Sequence, residues 1–301
     1  MTAGVAVRVA EPKSRRVVAE GTELHLLDWG GGGTPLLLLP GMGQSAHIFR
    51  ALVPFLGGRF RALAVSPRAH GESDSPETGY TLASFTADVR AVMDALEIGR
   101  AAVVGHSFGG AVATRLAAEA PERVSHLVYL DSLTDYRGVA RIAARAPVRP
   151  PVLPPGASDV IERAWHRAFT YGLWNEAVEA DWRARPDAAV RRHRRELLTD
   201  LLDDLVHSRE PFMALRCPAL ALMAQESVST QFPWLKADDP RRAEAEAYLR
   251  KVRIPWRHAS AERFRREARH ARVAEVPGNH FFFLSAPQRT AAEIRGFLHS
   301  A

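Results

Sequence analysis

The sequence predicts an α/β fold, a mostly parallel sheet flanked by helices and interrupted by a helical insertion, and three observations predict it. Short apolar runs alternate with amphipathic stretches over the first 131 residues. One apolar run leads directly into Gly105-His106-Ser107-Phe108-Gly109 and then into a small-residue helix. After Asp131 the strand rhythm stops, helical periodicity takes over, and strands resume only near Ala219.

Taken in order, Leu24 to Asp28 and Pro35 to Pro40 read as strands on either side of the glycine turn 30–33. Phe60 to Val65, Ala101 to Val104 and Val124 to Leu130 supply three more, the last two almost continuously apolar, as strands covered on both faces must be. Helical spacing predicts helices over Ala46 to Phe55, Leu82 to Leu96 and Phe108 to Ala120, the last stopped by Pro121. Five prolines within residues 147–155 favour an extended connector, after which three helix-like stretches follow. The best of these places Val190, Leu197, Leu198, Leu201, Leu202 and Leu205 on one face. Strand character returns at Ala219 to Ala224 and Val273 to Val276, and an amphipathic helix closes the chain from about Gln288 to Leu298. The expected organisation is a core of residues 1–131 and 217–301 with a helical insertion over 132–216.

At 301 residues, with 47% hydrophobic and 25% charged content, the chain can bury a large single core. Its net charge of +6 comes from thirty-seven arginines and three lysines. The arginine clusters at 191–195 and 263–272 are interleaved with acidic residues in helix-like stretches, so they read as solvated faces and not as a nucleic-acid footprint. Cys217 is the single cysteine, which excludes an internal disulfide and a thiolate metal site. The stretch Met1 to Arg16 is too broken by charge for a signal peptide, and no apolar run approaches the roughly 20 residues that span a bilayer. A cytoplasmic protein is expected, acting on a small molecule without nucleic acid, membrane or cofactor; the oligomeric state is not readable.

The chemistry concentrates at Ser107. A buried strand running into G-x-S-x-G and then a helix is the setting of a nucleophile elbow, where a sharp turn lifts the serine hydroxyl above the sheet. Backbone closure at such a turn leaves no room for side chains two residues away on either side, hence Gly105 and Gly109. A serine hydroxyl needs an imidazole to take its proton. Among twelve histidines, His280 has the right context, after the strand Val273 to Val276 and a Pro-Gly turn. The others show no metal-ligand spacing and no H-E-x-x-H, so no metal is expected.

These residues, with Leu39-Pro40-Gly41-Met42-Gly43, Ser66-Pro67-Arg68-Ala69-His70-Gly71-Glu72-Ser73-Asp74 and Pro277-Gly278-Asn279-His280, resemble the α/β-hydrolase superfamily, near its capped esterase, lipase and C–C hydrolase branch. The resemblance runs from about Val17 to Leu298 and implies an eight-stranded sheet with an inserted helical cap. It implies an oxyanion hole formed by the N–H groups of Met42 and Phe108. Relatives often carry His where this chain has Pro40, but the donor lies two residues on. His70 falls in what is a structural loop in relatives, and His106 is the variable residue of the elbow.

The acid is the irregular member. Most relatives carry Asp after the strand that follows the cap, and Ser227 stands there. Two carboxylates can substitute: Glu226, one residue earlier, and Asp131, at the end of Val124 to Leu130. Some members of the superfamily take the acid from that earlier strand, which favours Asp131. Gly41, Gln44 and His47 are expected around the substrate. The aromatics Trp165, Phe169, Tyr171, Trp174 and Trp182 could each line an apolar acyl or alcohol pocket, but read first as helix packing. The resulting expectation is hydrolysis of a carboxylic ester or related acyl compound through an acyl-enzyme. C–C bond, amide and lactone hydrolysis are the alternatives on the same residues, and a hydrolase-like receptor with little turnover is the alternative of another class.

Overall fold

A computed structural model describes residues 11–299 except 134, 150, 151, 155 and 187. The first ten residues, on which part of the signal-peptide reading falls, and Pro150, Pro151 and Pro155 of the connector therefore lie outside the described residues. Eight strands form one sheet in the order β1-β2-β4-β3-β5-β6-β7-β8. They are β1 (Lys13–Ala19), β2 (Thr22–Asp28), β3 (Thr34–Leu39), β4 (Phe60–Val65), β5 (Ala101–His106), β6 (Val124–Leu130), β7 (Ala219–Ala224) and β8 (Ala271–Val276). The β1–β2 and β2–β4 pairs are antiparallel and every later pairing is parallel.

Alternation splits the buried side chains between two layers. Leu37, Leu39, Val103, Tyr129 and Ala221 pack into one layer; Leu36, Leu38, Val104, Val128 and Leu222 pack into the other. Helices α1 (Leu82–Ala95) and α2 (Phe108–Glu119) cover the first face, with Thr81 capping α1 through its side chain. On the other face lie the closing helices α10 (Phe282–Ser285) and α11 (Pro287–His299).

Between β6 and β7 come α3 (Tyr136–Ala144), α4 (Asp159–Phe169), α5 (Glu176–Arg183) and α6 (Ala188–His207); the last three follow the proline-rich connector, as periodicity suggested, and α3 precedes it. Between β7 and β8 come α7 (Val228–Gln231), α8 (Arg242–Tyr248) and α9 (Ile254–Glu267), with a π-helical turn, Leu249–Arg253, joining the last two. No helix among the described residues is long and apolar enough to cross a membrane.

One local expectation needs correction, and one strand was not expected at all. Ala46 to Phe55 is not one α-helix but two 3-10 segments, Ala46–Ala51 and Val53–Phe55, with Pro54 in the second unable to donate a helical hydrogen bond. Strand β1 escapes sequence reading because it is an edge strand whose first residues are exposed and charged, so its apolar signal is absent.

Candidate active site

The parallel strands β3, β5, β6, β7 and β8 all end on one side, and their C-terminal loops bring together residues far apart in the chain. Ser107 sits between β5 and α2 with φ 49° and ψ −120°, a strained conformation for a residue with a Cβ. A Cβ on Gly105 would lie 2.5 Å from the Gly110 Cα, and one on Gly109 would lie 2.2 Å from the Leu39 carbonyl oxygen. The two glycines thus let the turn close against α2 and β3. The Ser107 N–H bonds the Leu130 carbonyl at 3.1 Å, tying the turn to β6.

One strand over, Asp131 begins the loop after β6, also at positive φ (47°). Its N–H bonds Leu222 O at 2.8 Å, and its Oδ1 accepts the Ala224 N–H at 2.8 Å. Its Oδ2 lies 2.7 Å from Nδ1 of His280, which reaches it from the loop after β8 across 149 residues of sequence. Burial pushes the Asp131 carboxyl up, but the Arg257 charge and the His280 bond outweigh it and hold it well below the usual carboxylate range. Glu226 is the other carboxylate considered for this place. Its Oε1 is paired with Arg253 at 2.8 Å and Arg257 at 3.1 Å, and among the described residues no bond joins it to His280.

Ser107 and His280 open onto one cavity of about 710 Å³ together with Gly41, Met42 and Gln44. Among the described residues no hydrogen bond engages the Met42 or Phe108 backbone N–H. The loop carrying Met42 is shaped from outside: His70 Nε2 accepts the Gly43 N–H at 2.8 Å while its Nδ1–H meets Arg68 O at 2.8 Å. Gln44 Oε1 accepts the Gly41 N–H at 3.1 Å and faces His106 Nδ1 at 3.0 Å. Asp181 of α5 accepts from both the N–H and the hydroxyl of Ser45, each at 2.6 Å, and so fastens the inserted helices to the same loop.

His47 is not in that cavity. It lines a separate groove with Trp29, Arg50 and Glu72 and pairs with Glu72 at 3.2 Å, because the 3-10 turn starting at Ala46 directs it away from Ser107. His25, His47 and Glu72 do meet there, with ligand atoms all within 4.8 Å, a three-residue set invisible to linear spacing. Its donors and acceptors are already matched as a hydrogen-bond chain. Arg50 Nε–H donates to His47 Nδ1 at 3.1 Å, which leaves the imidazole proton on Nε2 to donate to Glu72.

Three features escaped sequence reading. His106 is more than the variable elbow residue: its ring lies 4.6 Å from that of His280, and its Nε2 is 3.0 Å from the His280 carbonyl. Burial and the neighbouring His280 hold its pKa well down, so a neutral ring supports the His280 loop. Tyr136, at the start of α3, has its phenol beside the Ser107 side chain, and burial raises its pKa. Phe169 and Tyr171 line the cavity, whereas Trp165 stacks on Phe169 at 5.4 Å and Trp174 and Trp182 pack around His166. The cavity wall also includes Phe232, Trp234 and Tyr248 from the segment after β7, a signal lost in the sequence because that segment lacks a clean period.

The comparisons with known proteins agree with this architecture. Residues 34–148 match the family model described as alpha/beta hydrolase fold. A 2-(acetamidomethylene)succinate hydrolase of Mesorhizobium japonicum is 36% identical over 119 residues, 39% of this chain and 42% of that protein. The chain thus matches less than half the length of such curated relatives. Among solved structures, E-2-(acetamidomethylene)succinate hydrolase has a TM-score of 0.67 at 22% identity, covering 96% of this chain and 100% of that one. Est816, described as an N-acyl homoserine lactone degrading enzyme, has a TM-score of 0.66 at 20% identity over 94% and 100%. With the sheet order, the turn at Ser107 and the solved structures in agreement, the chain has the α/β-hydrolase fold, and its residues 34–148 match that family's model.

Proposed function

We propose that the protein is a serine hydrolase that cleaves a carboxylic ester or related acyl compound through an acyl-enzyme. One observation carries this reading: a strained Ser107 opens onto the same cavity as His280, whose other ring nitrogen is held 2.7 Å from a buried carboxylate, Asp131. Asp131 keeps the Nδ1 proton, which leaves the Nε2 lone pair of His280 to act as the base.

The Ser107 hydroxyl oxygen attacks the acyl carbon as its proton passes to Nε2 of His280. The N–H groups of Met42 and Phe108 receive the oxyanion. His280 returns the proton to the leaving oxygen, then activates water to release the acid and free Ser107. The cavity volume suits a small-molecule substrate, and Ala140, Ala143, Phe169, Tyr171, Trp234 and Phe281 offer it an apolar body. Residues 132–216 act as a cap, since α3 and α4 contribute to that wall.

The test is reaction with a fluorophosphonate probe. Labelling at Ser107, abolished in Ser107→Ala and slowed at least about 100-fold in His280→Ala, is the expected result. A folded protein that fails to label refutes the reading in favour of a non-hydrolytic receptor. A panel of p-nitrophenyl esters, amides and lactones then ranks the leaving groups.

A further inference from the structure

Beside Asp131, acidic and basic side chains from three elements meet largely out of water. Arg257 of α9 donates through Nη2 to Asp131 Oδ1 at 2.6 Å and through Nη1 to Oδ2 at 3.2 Å. The same Nη1 lies 3.1 Å from Glu226 Oε1, which also accepts from Arg253 Nε at 2.8 Å. The side chains of Asp131 and Glu226 are each 2% exposed and that of Arg257 is 11% exposed. Arg253 ends the π-helical turn and Arg257 follows four residues later, so both guanidiniums project to one side of the helix.

A carboxylate offers about four lone-pair sites, and those of Asp131 are filled by the Ala224 N–H, by Arg257 twice and by His280. Turning the carboxylate would break charge-assisted bonds on both oxygens at once. Arg257 also bonds the very oxygen, Oδ2, that faces His280. An uncompensated guanidinium here would oppose the imidazolium formed during turnover. Glu226, next to the position where relatives carry their acid, is aimed at this arginine.

From this geometry we infer that Arg257 is a positioning residue for hydrolysis. It locks the Asp131 carboxylate, ionised, in the orientation that presents Oδ2 to His280, while Glu226 balances its charge. The inference rests on the serine-hydrolase reading above. The titratable and charged groups around Asp131 and Glu226 are Arg257, Arg253, His280, His106 and Tyr171, and of the two arginines only Arg257 is bonded to Asp131 itself.

The experiment uses the full chain and a p-nitrophenyl ester, with Arg257→Lys, the charge-balanced pair Arg257→Gln with Glu226→Gln, and Arg257→Gln in an Asp131→Asn background. The balanced pair is expected to keep the wild-type fold by circular dichroism and to lose about 10- to 100-fold in kcat with KM within about twofold. Its acid limb moves to higher pH, because without Arg257 burial draws the Asp131 carboxyl upward. Arg257→Lys restores part of kcat. In the Asp131→Asn background the Arg257 substitution costs less than about threefold, since there is no charged carboxylate left to hold. Equal losses in both Asp131 backgrounds, or a folded variant with unchanged kcat and acid limb, overturn the positioning role. If the wild type labels with fluorophosphonate but the folded variants match it, only this inference fails; if the wild type neither labels nor hydrolyses, the hydrolase reading fails and takes the positioning role with it.

Discussion

Acidification from pH 7 to pH 5 should weaken the fold through His70, by an amount the structure allows to be worked out. His70 is 3% exposed and holds the loop of Met42 by accepting the Gly43 N–H on Nε2 while donating from Nδ1 to Arg68 O. A second ring proton would set two N–H groups against each other, and burial together with the charges of Arg194 and Arg185 lowers its pKa to about 4. The unfolded chain takes up that proton near 6.5. Since the folded value is the lower one, the stability His70 contributes is complete above pH 6.5 and is lost as the pH falls toward 4. At pH 5 the loss is about 2 kcal/mol, out of roughly 3 kcal/mol at still lower pH.

The assay is urea denaturation of the wild type and His70→Gln at pH 7 and pH 5. The variant is less stable at pH 7, but its stability should fall by about 2 kcal/mol less than the wild type's between the two pH values. His106, His166 and His25 are also buried with lowered pKa, and they contribute equally to both proteins, so the difference isolates His70. Equal losses in both proteins would refute the reasoning.

Two further substitutions test how the site is held together. Gly109→Ala places a methyl group about 2.2 Å from the Leu39 carbonyl, between backbone segments that cannot yield, and should cost at least about 3 kcal/mol; a thermal midpoint within about 2 °C of wild type would contradict this. Asp181→Ala leaves the Ser45 N–H and the Ser45 O–H without their shared acceptor under the inserted helices and should cost about 2–4 kcal/mol while loosening the Met42 loop. Denaturation midpoints measure the first effect and ester kcat/KM the second, and an unchanged kcat/KM would show that the tether does not govern the loop.

Residues in short windows made much of this protein legible. The runs Leu36–Leu39 and Val124–Leu130 are apolar because both faces of their strands are covered, and that condition is written in consecutive positions. The elbow at Ser107 depends on glycines two residues to either side, and the turn before His280 on Pro277 and Gly278, so they too can be read locally. The edge strand β1 lacked that signal because solvent, not a helix, faces most of it.

By itself, then, the sequence determined strands β2 to β8, the turn that strains Ser107 and the identity of the groups available for chemistry, since those follow from backbone sterics and burial over a few residues. Only the tertiary structure decided which carboxylate meets His280. Asp131 and Glu226 were both admissible, and the choice came from Arg253 and Arg257, which claim Glu226 from a helix whose approach to Asp131 closes 126 residues of chain. The physical reason is that an ion pair depends on distance in space and on the loss of water around it, and neither quantity exists in a chain until it has folded.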